Sequence, residues 1–114
     1  MTVDSTVNST AGDALGGHPP GSAAARQAHE LLARERRTHI AEIGLLEEDS
    51  APDEAVMARR GALQTNLEEI DAALARLADG VYGLCEDCRK PVPEGRLEII
   101  PYARRCVGCQ QRRR

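Results

Sequence analysis

The stretch CEDCRKPVPEGRLEIIPYARRCVGC, residues 85–109, holds all four cysteines of this 114-residue chain. They fall into two C-x-x-C pairs, Cys85/Cys88 and Cys106/Cys109, with seventeen residues between the pairs. Two short-spaced pairs a ribbon apart supply the four thiolates that a tetrahedral Zn²⁺ takes. Such a shell is closed. No position stays open for water or a substrate carbonyl, so the zinc is expected to be structural and the protein not an enzyme. A pair of disulfides is the competing reading, and it needs an oxidising compartment. Residues 1–25 contain no Lys or Arg and no apolar run of a secretory signal, and Asp4 and Asp13 interrupt them. No stretch is long and apolar enough to span a membrane. The chain is therefore expected to be cytoplasmic, with reduced thiols.

Around the cysteines, Gly83 and Gly108 suit the tight turns that each pair needs. Leu97, Ile99 and Ile100 are the candidate core beside the metal. Phe and Trp are absent, and Tyr82 and Tyr102 are the only aromatic residues. Such a chain cannot fill a thick core, and a metal is the staple that small domains use in its place. Residues 110–114, QQRRR, continue as a short final helix with a basic end.

Upstream, residues 26–49 and 53–79 are rich in Ala, Leu, Glu and Arg, all strong helix formers. In the second segment Val56, Leu63, Ile70 and Leu77 recur every seven residues, with Arg60, Leu67 and Leu74 between them. That is the seam of a coiled coil. The first segment has a weaker seam of Leu32, His39 and Leu46 beside His29, Arg36 and Ile43. A short connection makes two such helices antiparallel. The expected fold is mainly α: an antiparallel two-helix coiled-coil arm over residues 26–79, then a small Cys₄ zinc finger over 80–114 with a short C-terminal helix. Residues 1–25, rich in Ser, Thr, Gly, Ala and Pro, read as a disordered tail.

The tip of the arm lies near residues 49–55. Ser50 is the expected N-cap of the second helix, with Pro52 in its first turn and Asp53 at the third helical position. Capping does not account for five carboxylates in so short a stretch: Glu47, Glu48, Asp49, Asp53 and Glu54. Charge is also unevenly shared. Residues 1–79 carry 14 acidic and 7 basic side chains, and residues 80–114 carry 4 acidic and 8 basic. An acidic body with a basic end suits a protein partner of mixed charge better than plain DNA.

The run Cys85-Glu86-Asp87-Cys88, then Val92, Arg96, Leu97, Pro101 and Cys106-x-x-Cys109-Gln110, resembles the finger signature of the DksA/TraR zinc-finger transcription regulators. The lead-in Gly80-x-Tyr82-Gly83 and the two preceding helices fit as well, so the resemblance covers residues 26–111. It implies one structural Zn²⁺ and a monomer that binds RNA polymerase at the rim of the secondary channel. It further implies an arm inserted toward the active centre, where acidic tip residues change initiation without touching DNA. The family's tip motif is Asp-x-x-Asp-x-Ala. Asp53 and Ala55 match its second Asp and its Ala, Ser50 stands in place of the first Asp, and Asp49 lies one residue out of register. Some members work with guanosine tetraphosphate, but no residue of this chain is assigned to it. Candidate partner-contact cations are Arg59, Arg60, Arg96, Arg104 and Arg105.

Two other classes of function stay open. One is a zinc-ribbon nucleic-acid binder using Arg89, Lys90, Arg96, Arg104, Arg105 and the terminal arginines. The scarcity of stacking aromatics and the acidic arm weigh against it. The other is a redox-responsive adaptor that ejects its zinc when the thiolates are oxidised.

Overall fold

A computed structural model describes residues 17–49 and 51–113. Residues 1–16 of the tail expected over 1–25, and Ser50, lie outside the described residues. Two long helices, α1 (Ala23–Glu47) and α2 (Glu54–Ala78), precede two short ones, α3 (Glu94–Ile99) and α4 (Val107–Arg112). Among the described residues there is no strand, only an isolated antiparallel bridge between Leu84 and Pro91.

α1 starts three residues earlier than expected. Ser22 caps it, its hydroxyl accepting the Ala25 N–H at 3.1 Å, and the following alanines carry helix propensity back to residue 23. The turn before it folds onto the base of the arm. A Cβ on Gly80 would lie 3.5 Å from the Pro20 ring, and His18 meets Tyr82 edge-on with ring centroids 4.9 Å apart. The disordered-tail reading is thus corrected for residues 17–25, which are ordered by a cap and by packing.

The start of α2 corrects a second expectation. Asp53 is its N-cap, accepting the Val56 N–H at 2.9 Å. Asp caps as well as Ser, and Pro52 pushes the residue before it away from helical geometry. The helix can therefore begin only after the proline. Asp49 Oδ1 accepts the Ala51 N–H at 3.0 Å, a local turn that shapes the tip. At its other end, α2 closes with a Schellman motif. Val81 N–H donates to Arg76 O at 3.0 Å and Gly80 N–H to Leu77 O at 3.2 Å, with Gly80 at φ +81°.

The helices are antiparallel: Arg36 pairs with Asp71 and Glu42 with Arg59, each at 2.8 Å, so partners run in opposite directions. The seam residues Leu32, Leu63, Ile70 and Leu77 are buried, together with Ala25, Ala28 and Ala73. Toward the tip, Ile43, Leu46 and Val56 are only half-buried. The outer half therefore rests on thin packing and on exposed ion pairs, each stabilising by about 0–1 kcal/mol. The polar seam positions find local partners. Arg36 turns out to Asp71, and His39 Nδ1–H donates to Glu35 O at 2.8 Å.

One core joins arm and finger. Leu32, Ile70, Ala73 and Leu77 are continuous with Tyr82, Cys85, Val92, Leu97, Ala103 and Cys109. Tyr82, 2% exposed, donates its hydroxyl to Pro101 O at 2.7 Å. Burial pushes its pKa up to about 12, so it stays a donor. Of the expected finger core, Leu97 is buried and Ile100 packs against it, but Ile99 is 81% exposed. Residues 97–99 are helical, and a 100° step per residue turns Ile99 away from the face that Leu97 and Ile100 share. The whole measures 68 × 31 × 20 Å, an arm standing on a small base.

Candidate metal centre and arm tip

The four cysteine sulfurs all lie within 4.8 Å of one another. A tetrahedron with Zn–S bonds of about 2.3 Å has sulfurs about 3.8 Å apart. Cys88 Sγ and Cys106 Sγ, at 4.0 Å, are close to that spacing and far beyond a disulfide bond of about 2.0 Å. All four are free cysteines. The four thiols therefore form a site for one structural Zn²⁺, and a fourth protein ligand leaves no coordination position for chemistry.

Each pair is shaped by its own backbone. In the first, Cys85 N–H donates to Lys90 O at 2.8 Å and Arg89 N–H to Cys85 O at 2.9 Å. The turn also points Cys88 N–H at Cys85 Sγ, 3.5 Å away. Closing it forces Arg89 to φ +67°, a left-handed position that costs a side-chain-bearing residue about 1–2 kcal/mol. In the second, Cys106 caps α4, and Gln110 N–H reaches Cys106 O at 2.9 Å, which carries Cys109 back to the metal position. Arg112 Nη2 donates to Cys109 Sγ at 2.9 Å and opposes the net negative charge of four thiolates around one Zn²⁺.

The thiols are not equivalent before metal binds. Burial alone would raise Cys85, but the backbone N–H groups of Cys88, Cys106 and Asp87 pull it down to about 6. Cys109 is pushed up to about 12 by burial and by the neighbouring thiols. It holds its proton throughout the neutral range and must release it to zinc, whereas Cys85 is already a thiolate there. Metal binding therefore releases protons, and acid opposes it. We expect zinc affinity to fall by about tenfold or more per pH unit from about pH 8 to about pH 6.5. Competition against a chromophoric chelator would check this, and a flat profile would contradict it.

Finger and arm are clamped by charge as well as by core. Arg104 donates to Glu69 of α2 and to Glu86 in the first cysteine pair, the latter at 2.9 Å. Arg105 and Arg113 both donate to Asp87. Arg76 lies at the same joint, 3.9 Å from Glu86, its pKa lowered by burial and then by Arg104. Arg96 donates to Arg105 O at 3.1 Å, and Arg59 is held by Glu42. Of the five candidate partner-contact cations, Arg59, Arg96, Arg104 and Arg105 thus have partners inside the chain. Arg60 is half-buried and makes no ion pair among the described residues. Glu69 carried no signal in the sequence, and Tyr82, legible as part of the finger lead-in, adds the buried hydrogen bond to Pro101 O.

At the other end, Asp49, Asp53 and Ala55 are exposed, as are Glu47, Glu48 and Glu54. The carboxylates of Asp49 and Asp53 each hold a backbone N–H. None of the five acids there makes an ion pair among the described residues. The tip and the metal site are thus at opposite ends of a 25-residue helix, about 37 Å apart by helix rise.

Residues 80–114 match the family model described as the prokaryotic dksA/traR C4-type zinc finger. General stress protein 16O of Bacillus subtilis is 40% identical over 72 residues, 63% of this chain and 42% of that protein. The RNA polymerase-binding transcription factor DksA of Caulobacter vibrioides is 41% identical over 64 residues, 55% of this chain and 45% of that protein. The chain spans less than half the length of these two curated relatives. The solved structure of transcription factor DksA2 from Pseudomonas aeruginosa superposes with a TM-score of 0.64 at 30% identity. That match covers 82% of this chain and 84% of that one. The metal site lies within the residues that the family model matches, the structural match extends over most of the chain, and this chain belongs to the DksA/TraR family of C4-type zinc-finger transcription factors.

Proposed function

We propose that this protein binds RNA polymerase, passes its helical arm into the secondary channel and uses the acidic tip to modulate initiation near the active centre. The observation that carries this reading is the tip itself. Five exposed carboxylates without ion pairs among the described residues stand at the far end of an arm whose base is fused into the zinc-bearing core. Such a concentration of negative charge is costly unless a cationic or metal-bearing environment receives it. The name of the Caulobacter relative supports the choice of partner. Direct DNA binding is disfavoured, because the finger's Arg104, Arg105 and Arg113 are turned onto Glu69, Glu86 and Asp87.

A photo-crosslinking residue at Ala51, exposed between Asp49 and Asp53, tests the reading on the purified polymerase. Crosslinks are expected in the active-centre elements that line the secondary channel. Crosslinks confined to the outer surface of the enzyme would reject insertion, and their complete absence would reject the partner.

A further inference from the structure

With four of the expected contact cations used internally, the positive charge open to a partner lies elsewhere. Arg34 and Arg37 on α1 are exposed and make no ion pair among the described residues. Arg34 is so placed although Glu30 stands one turn before it, a spacing at which such pairs form. These residues share one shallow depression with His29, Glu30 and Ala33. Arg26 lies on the same flank, its guanidinium on Gly21 O at 2.8 Å. At 100° per residue, positions 26, 34 and 37 fall within one arc, well away from the buried stripe of Ala25, Ala28 and Leu32. A basic face therefore runs along the base half of an arm whose tip is strongly acidic.

We propose that this face of α1 is a docking surface for an acidic protein surface on RNA polymerase. The inference rests on the polymerase reading above and adds to it the residues that hold the arm. Charge complementarity selects the occupant. A nucleic acid would have to lie along an arm that is acidic overall, and the face offers no Phe, Tyr or Trp for a base to stack on. An acidic protein surface meets a face on which Arg26, Arg34 and Arg37 outweigh the single carboxylate of Glu30. Position agrees: Arg37 is twelve residues before Asp49, about 18 Å by helix rise. A contact at Arg34 and Arg37 would anchor the arm at an entrance and leave that length to project inward.

The test uses the full zinc-loaded chain and purified core polymerase, with binding measured at several salt concentrations. Both arginines are exposed and Glu is a good helix former, so Arg34→Glu/Arg37→Glu preserves the fold. It is expected to weaken binding by about tenfold or more and to flatten the salt dependence. The neutral Arg34→Gln/Arg37→Gln variant falls between, and unchanged zinc content and helicity confirm that both variants are folded. If the wild-type chain binds polymerase and the charge-reversed variant binds equally well, the docking surface is wrong while the polymerase reading stands. If the wild-type chain does not bind, both fall. A DNA fragment bound with steep salt dependence, and lost on the same charge reversal, would assign the face to nucleic acid and overturn the proposal.

Discussion

Removing the zinc, or replacing Cys109 with serine, unfolds the finger and loosens the base of the arm. The finger has little else to hold it. α3 and α4 are six residues each, far below the length at which isolated helices persist. The only strand pairing among the described residues is a single bridge. Zinc binding in small fingers is worth about 10 kcal/mol or more, comparable to the whole stability of a small domain. The effect does not stop at the metal. Cys85 and Cys109 are buried in the same cluster as Leu32, Ile70 and Leu77, so losing the finger bares the base of the seam. The chain carries its own reporter. It has no Trp, and its two tyrosines, Tyr82 and Tyr102, both belong to the finger side. Near-ultraviolet circular dichroism is expected to collapse on chelation, while far-ultraviolet helicity, dominated by α1 and α2, falls much less. A metal-free protein with its tyrosine signal and melting temperature intact would show that the core, and not zinc, folds the finger.

That dependence explains which features were legible in the amino-acid order. The metal site is a matter of spacing, and Cys85, Cys88, Cys106 and Cys109 declare it locally. The α2 seam is legible for the same reason, since Val56, Leu63, Ile70 and Leu77 keep one period. What escaped was set by tertiary partners or by close competition. The pairing of Arg104 with Glu69 is not legible, because the two are 35 residues apart. The internal partners of Arg105 and Arg96 are hidden likewise, since no periodicity announces such pairings. The N-cap was a contest between two good capping residues, decided by where Pro52 sits. The early start of α1 depended on Ser22 and on the contacts of Pro20 and His18 with the finger side, which only the closed fold creates. The tip has no packing to constrain it, so its acidic character is visible in the sequence while its role can only be tested.

Asp53→Asn and Asp53→Ala together separate the two roles of the residue on which that test turns. Asp53 caps α2 through Val56 N–H, and its carboxylate is exposed at the tip. Asparagine caps a helix as well as aspartate but carries no charge. Asp53→Asn is therefore expected to leave thermal stability nearly unchanged and to keep polymerase binding, which the docking surface proposed above assigns to the base of the arm. Its effect on promoter output should fall to a small fraction of the wild-type value. Asp53→Ala removes the cap as well and costs about 1 kcal/mol more, near the thinly packed end of the hairpin. The comparison is made by melting curves, polymerase affinity and multi-round transcription from an initiation-sensitive promoter. If the asparagine variant retains full regulatory effect, the tip charge is not the active element. If instead only the alanine variant loses it, the tip acts through its shape, and the carboxylates of Glu47, Glu48 and Asp49 become the next groups to neutralise.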